Sequence, residues 1–87
     1  MTHTENEIRE FVIAYDYFGL SNTALVRPIK LQKGKYFNCM LIESKKEIDI
    51  AYKKESIESF WIDKNLGIPT PLSQLVGQAI ESKIELL

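Results

Sequence analysis

The sequence predicts an α+β fold: an N-terminal helix, a three-stranded antiparallel meander, a short helix or fourth strand, and a C-terminal helix. Apolar residues recur at helical spacing near both ends of the chain, whereas apolar and polar residues alternate in its middle. Turn residues separate these stretches. With 87 residues, 45% of them hydrophobic and 26% charged, the chain has the size and composition of a single globular domain over residues 1–87.

The first predicted element is a helix that begins at Thr4. Thr4 and Glu7 have the spacing of a capping box, in which each side chain bonds the backbone N–H of the other. The apolar residues that follow share one face at a period of 3.6 residues: Ile8, Phe11, Val12, Tyr15 and Phe18. Gly19 suits the left-handed conformation that ends a helix. A strand is the alternative, because residues 11–18 are rich in β-forming types, but the cap and the spacing favour the helix.

The meander follows from alternation in the middle of the chain. Two stretches, residues 37–41 and 48–52, alternate apolar with polar side chains, as half-buried strands do. A four-residue turn over 43–46 joins them and puts both apolar sets on one face. The predicted cross-strand pairs are Leu41 with Ile48, Cys39 with Ile50, and Phe37 with Tyr52.

The preceding hairpin is predicted to turn through a three-residue loop with Gly34 in the left-handed bulge position. This loop places Ile29 opposite Phe37, and Leu25 opposite Leu41. It also leaves Arg27 on the core side, next to a proline that cannot donate to a ladder. The strand is therefore predicted to be an irregular edge.

Residues 56–66 fit either of two elements. Ser56 could cap a short helix that carries Ile57, Phe60 and Trp61, and this helix is slightly preferred. The same apolar run could equally form a fourth strand. The sequence leaves the choice open.

The C-terminal helix is predicted to start at Thr70, the N-cap, with Pro71 in the first helical position. Its apolar stripe comprises Leu72, Leu75, Val76, Ala79, Ile80, Ile84 and Leu87. Gly77 lies inside the helix, where glycine costs about 1 kcal/mol relative to alanine. The sequence therefore predicts that another element packs closely against the helix at Gly77.

Few residues could carry catalysis or bind a metal. His3 is the only histidine and precedes the first predicted helix. Cys39 falls on the predicted core face, where burial raises the pKa of a thiol and suppresses its reactivity. No histidine and cysteine residues have the spacing of metal ligands. The sequence therefore predicts no enzyme activity, no metal, no cofactor and no small-molecule substrate.

A cytoplasmic protein without membrane association is also predicted. The first seven residues are polar and acidic, unlike a signal peptide. No apolar run approaches the roughly 18 residues that a membrane-spanning helix needs. Cys39 is the only cysteine and cannot form a disulfide within the chain, which suits a reducing compartment.

The face of the meander opposite the core is the first candidate site. Tyr36, Met40 and Ile42 are predicted to form an apolar strip there, with Lys30 and Lys53 near its borders. One of the later helices could simply cover this strip. If the strip is exposed, it indicates a contact surface for a protein partner or for self-association. A small inhibitor, adaptor or immunity-type protein is the function that this interpretation predicts.

The uneven distribution of charge is the basis of the alternative function. Residues 27–54 hold eight basic and three acidic residues, a net +5, whereas residues 1–26 and 55–87 each carry −3. Lysines at turns and strand ends commonly serve only solvation. However, Lys33, Lys35, Lys53 and Lys54 are predicted to lie at the same end of the sheet, where they could bind phosphates of a nucleic acid.

Overall fold

A computed structural model of the protein describes residues 9–31, 34–55 and 58–84. Five antiparallel strands form one curled sheet, a half-barrel, and a single helix follows them. The elements are β1 Phe11–Tyr17, β2 Leu20–Leu31, β3 Gly34–Leu41, β4 Lys46–Glu55, β5 Glu58–Asp63 and α1 Pro71–Glu81. The strands are neighbours in the sheet in the order in which they occur in the chain. This architecture contradicts the predicted layout of helices around a three-stranded meander.

The predicted N-terminal helix is wrong, because β1 occupies its described part, and Thr4, Glu7 and Ile8 lie outside the described residues. Ile13 and Tyr15 are buried while their neighbours in β1 are exposed, so burial follows the two-residue period of a strand. Phe18 and Gly19 then form a two-residue turn with φ of 54° and 77°. Positive φ at both positions is what a tight hairpin requires. The β propensity of this stretch therefore outweighs its helical spacing.

The hairpin between β2 and β3 is one residue tighter than predicted. Leu31 lies opposite Gly34, so the connecting loop consists of residues 32 and 33 alone. This shift by one residue exchanges the two faces of β2. Val26 is fully buried, and Arg27 is exposed, where its Nε lies 3.1 Å from a carboxylate oxygen of Glu10. The predicted conflict of an arginine on the core side is thereby removed.

The proline in β2 is accommodated where the neighbouring strand has ended. The β1–β2 pairing begins at Phe11 opposite Val26, so Pro28 lies beyond it. Proline offers no N–H to a ladder, and such a position does not need one. β2 is therefore an inner strand over most of its length, and not the edge strand that was predicted.

The pairing of β3 with β4 keeps the predicted faces but slides by two residues. Cys39 lies opposite Ile48, and Phe37 opposite Ile50. Because side chains alternate with a period of two, a two-residue slide leaves the apolar set on the same face. Lys45, with φ of 60°, completes the turn before β4.

The element after β4 is a strand, so the slight preference for a helix was wrong and the alternative was right. β5 pairs with β4, with Trp61 opposite Tyr52. Ser56 and Ile57 lie outside the described residues. β5 forms one edge of the sheet and β1 forms the other.

The C-terminal helix is confirmed. The Thr70 side chain accepts a hydrogen bond from the Ser73 N–H at 2.9 Å, and the Ser73 hydroxyl accepts one from the Thr70 N–H at 2.9 Å. Val76 and Ile80 of the predicted stripe are fully buried, whereas Leu87 lies outside the described residues. No helix of the described residues is long and apolar enough to cross a membrane.

We call the face of the sheet that packs on α1 the inner face, and the opposite face the outer face. The inner face and α1 together form the core, which comprises Ile13, Tyr15, Ala24, Val26, Phe37, Cys39, Leu41, Ile50, Trp61, Val76 and Ile80. Trp61 lies at its centre, with ring centroids 5.6 Å from Phe37 and 5.2 Å from Tyr52. The predicted close approach at Gly77 is confirmed, because the partner there is the Trp61 indole.

Candidate protein-binding face

The outer face carries the apolar residues that were predicted to form a contact strip. Tyr36 and Met40 alternate along β3 with the buried Phe37 and Cys39, so they project from the opposite side of the sheet. Ile42 continues the alternation one residue past β3. Its N–H donates to the Thr23 carbonyl at 3.0 Å, and the residue is 46% exposed. The structure therefore places all three side chains on one face.

Residues of β1 and β2 extend this apolar surface. The register aligns Val12 with Leu25 and Leu25 with Met40, which makes a continuous apolar row across three strands. A second pair joins Ile29 to Tyr36. We call the set of Val12, Leu25, Ile29, Tyr36, Met40 and Ile42 the outer apolar strip. Its members are half-buried or exposed, so it presents accessible apolar area.

Sequence reasoning missed three members of this strip. Val12 had been assigned to a helix, and Leu25 and Ile29 had been assigned to the core side of their strand. A one-residue error in register moves every side chain to the opposite face. The signal that could have located Leu25 and Ile29 is Arg27, because placing the arginine in solvent puts the residues two positions before and after it on the outer face too.

A polar row divides the strip into two parts. Arg27, Asn38 and Asp49 are aligned across β2, β3 and β4. The Asn38 side-chain amide donates to Asp49 at 2.8 Å and to Glu47 at 3.5 Å. These hydrogen bonds hold the carboxylates beside the apolar residues. The arrangement resembles the mixture of apolar contact area and oriented polar groups found in protein interfaces.

The part of the strip around Tyr36 borders on the outer face of β4 and β5. The Lys64 ammonium lies 4.7 Å from the centre of the Tyr36 ring, within cation–π range. Ala51 is aligned with Ile62, and Lys53 with Phe60. Lys53 therefore lies on the outer face as predicted. Lys30 does not, because it is aligned with Lys35 on the inner-face side of the hairpin.

The lysines of the alternative site lie at one end of the sheet but not on one face. Lys35 is the second residue of β3, and Lys53 and Lys54 are near the end of β4, so all three are at the same end of an antiparallel pair. All three are exposed. Lys53 and Lys54 are consecutive in a strand and point to opposite faces. Lys33 lies outside the described residues.

Other exposed apolar side chains lie at the opposite end of the sheet, in turns that sequence reasoning did not single out. Phe18 is 86% exposed in the β1–β2 turn, next to Leu20. Leu66 and Ile68 are exposed in the loop after β5.

Packing and hydrogen bonds explain the pKa values that depart from their ordinary range. Burial raises the pKa of the Cys39 thiol to about 12. Burial likewise raises the pKa of Tyr15, and hydrogen bonds from Thr23 lower the pKa of Glu43.

Within residues 9–31, 34–55 and 58–84, no three His, Cys, Asp or Glu side chains are grouped so that they could hold a metal ion. His3 lies outside these residues.

Comparison of the chain with protein-family models, with curated proteins and with solved structures found no match.

Proposed function

We propose that this protein is a small, non-catalytic protein-binding module of the inhibitor, adaptor or immunity type, and that it acts in the cytoplasm. It binds its partner through the outer apolar strip. The observation that carries this proposal is the position of α1: the helix packs on the inner face, against β1, β4 and β5, and so leaves the strip on the other side. A sheet face with accessible apolar residues next to polar groups is typical of a contact surface.

Met40 and Tyr36 are the expected anchors of this contact. Met40 is half-buried in the row with Val12 and Leu25, and its flexible thioether adapts to the shape of a partner. Tyr36 offers a large ring and a hydroxyl, a combination enriched among residues that dominate binding energy. These side chains would lose their remaining water contact in the complex, and apolar burial would drive association.

Charged groups around the anchors are expected to set orientation and association rate. Arg27 and Asp49 lie in the polar row between the two apolar parts, and Lys64 lies over Tyr36. Exposed interfacial charges affect the encounter rate and the rejection of wrong partners more than they affect affinity. A salt-dependent association rate with a nearly salt-independent dissociation rate is the expected result.

The proposal is tested by site-specific photocrosslinking. A photoreactive amino acid replaces Met40 in one variant and the exposed turn residue Ser44 in a matched control. Each variant is irradiated in extract of its own cells. The proposal predicts that one discrete protein is crosslinked at position 40 and not at position 44. Crosslinks at neither position, or equally at both, would count against docking through this face.

Nucleic-acid binding is the alternative function, and the exposed lysines at one end of β3 and β4 favour it. Its test is fluorescence anisotropy with labelled single- and double-stranded DNA and RNA at low and near-physiological salt. Binding through Lys35, Lys53 and Lys54 would weaken steeply with salt and would be lost when all three are changed to Gln. The net charge of −1 opposes such binding. Absence of binding at low salt would exclude this alternative.

A further inference from the structure

The two edges of the sheet differ in how their backbone groups are satisfied. On β5, the Trp61 N–H donates to the Gln74 side-chain oxygen at 3.0 Å, and the Trp61 carbonyl accepts from the Ser73 hydroxyl at 2.9 Å. Two residues on, the Asp63 N–H donates to the Ile68 carbonyl at 2.9 Å. Residues of α1 and of the loop before it therefore bond the edge of β5 that faces away from β4. This edge cannot pair with another strand at Trp61 or Asp63.

The edge formed by β1 has no such cover among the described residues. Within that part of the chain, only β2 hydrogen-bonds to the β1 backbone, although α1 packs against β1 as well. The strand Phe11–Tyr17 contains no proline and no lysine or arginine, and Asp16 is its one charged residue. Natural edge strands are commonly protected by such residues, by bulges or by a covering element. β1 is thus a largely apolar, seven-residue edge strand whose outward backbone groups have no hydrogen-bond partner among the described residues.

We propose that β1 pairs antiparallel with β1 of a second copy of this chain, so that the two five-stranded sheets join into one. Because the β5 edge is occupied, a head-to-tail contact of β1 with β5 of another copy is blocked. Only the symmetric contact remains, and a symmetric contact closes at two copies. The expected assembly is therefore a two-fold dimer, and not a filament.

The sequence of β1 specifies a register for this contact. Pairing that is centred on Ala14 aligns all seven residues and keeps the inner and outer faces continuous across the dimer. Ala14 then lies opposite its own copy, which places the smallest side chain of the strand at the two-fold axis. Val12 lies opposite Asp16, so each charge of the strand faces an apolar residue and the two aspartates stay apart.

This inference is independent of the proposed function, because it uses the strand edge and not the outer apolar strip as a whole. Val12 belongs to both surfaces. Met40 belongs only to the strip, two strands away from the edge, and so separates the two proposals.

Sedimentation equilibrium from micromolar to millimolar concentration tests the dimer and its register. Val12→Asp places an aspartate opposite Asp16 of the other copy, and the two-fold symmetry repeats this repulsive pair at a second place. The dissociation constant is therefore expected to rise roughly tenfold. The double variant Val12→Asp with Asp16→Lys restores opposite charges and is expected to return the constant to within about threefold of the unchanged protein. Met40→Asp, the matched control on the same face, is expected to leave the constant unchanged.

A protein that stays monomeric over the whole range would overturn the proposal. Equal weakening by Val12→Asp and by the double variant would overturn the register. Dissociation by Met40→Asp alone would show that copies pair through the face and not through the edge. If Val12→Asp fails to fold, Val12→Lys tests the same register. Its lysine faces Asp16 of the other copy, so the dissociation constant of the dimer is expected to fall and not to rise.

Discussion

Gly77 of α1 lies directly against the indole ring of Trp61, so closely that a Cβ at position 77 would overlap the ring. The indole is held there by a hydrogen bond from its Nε1–H to the Glu81 carboxylate at 2.9 Å. The backbone of Trp61 is bonded to Gln74 and Ser73 of the same helix. One residue of the edge strand β5 therefore fixes the position of α1 on the inner face.

Gly77→Ala is expected to destabilise the protein although alanine is the better helix former. The propensity gain is about 1 kcal/mol. Overlap of a methyl group with a buried ring costs about 1–3 kcal/mol, occasionally more. Because the overlapped atoms belong to the rigid indole, we take the upper end of this cost, about 3 kcal/mol. After subtraction of the propensity gain, the free energy of unfolding, measured by urea denaturation, is expected to fall by about 2 kcal/mol. Gln78→Ala, at the exposed neighbouring position, is the control and should change stability by less than about 0.5 kcal/mol. An unchanged or more stable Gly77→Ala protein would contradict this packing.

Ser73→Ala is expected to destabilise the junction between helix and strand. The buried Ser73 hydroxyl donates to the Trp61 carbonyl and accepts from the Thr70 N–H, both at 2.9 Å. Its removal leaves a carbonyl and an N–H without these partners, at a cost of about 1–3 kcal/mol. Ser82→Ala is the matched control, since the exposed Ser82 hydroxyl bonds only within its own helix, to Gln78 at 3.2 Å. Equal denaturation midpoints for the two variants would contradict the role given to Ser73.

The parts of the fold that the sequence predicted correctly are those with local chemical signals. The C-terminal helix was predicted because Thr70 and Pro71 mark its start independently of what packs on it. The faces of β3 and β4 were predicted because alternation survives a two-residue slide in register. Gly77 predicted a close approach, but its partner Trp61 could be found only from the fold.

The errors arose where two periodicities fit the same residues. Phe11 and Tyr15 are compatible with both a helix and a strand, and the strand is decided by pairing with β2, which is a tertiary effect. The face of Leu25 depended on whether the β2–β3 loop has two or three residues. The candidate strip was therefore predicted only for β3, while its extension onto β1 and β2 required the register.

Stability in acid is expected to depend on Glu43. This carboxylate accepts hydrogen bonds from the Thr23 N–H at 2.8 Å and the Thr23 hydroxyl at 2.7 Å, which lower its pKa from the ordinary value of 4.5. Since folding lowers this pKa, the stabilisation is complete above the unfolded pKa and is lost as pH falls through the folded one.

Thr23→Val removes the hydroxyl donor to Glu43, so it should reduce the stability that is lost as the pH falls from neutral through the folded-state pKa of Glu43. Thr23→Ser keeps the donor and is the control. The measurement is the urea midpoint as a function of pH. If valine and serine at position 23 gave the same acid dependence, the hydroxyl would not contribute to lowering the pKa of Glu43 beside the Thr23 N–H.

Cys39 is expected to be unreactive in the folded protein. Its side chain is fully buried, and desolvation raises the pKa of the thiol to about 12, so the reactive thiolate is scarce at neutral pH. Modification by a chromogenic disulfide reagent should be slow in buffer and rapid in concentrated urea. Because Cys39 is the only cysteine, the absorbance reports this site alone. Rapid reaction without urea would contradict its burial.

The docking role of the outer apolar strip is tested most directly by the affinity of a purified partner, captured by crosslinking at position 40, for three forms of the protein. These are the unchanged chain, Met40→Asp on the strip, and Ser44→Asp in the exposed β3–β4 turn. A charge in the desolvated centre of an interface should weaken binding at least roughly tenfold, and the turn variant should stay within about twofold of the unchanged chain. If Met40→Asp bound like the unchanged chain, or Ser44→Asp lost as much affinity, the outer face would not be the binding surface.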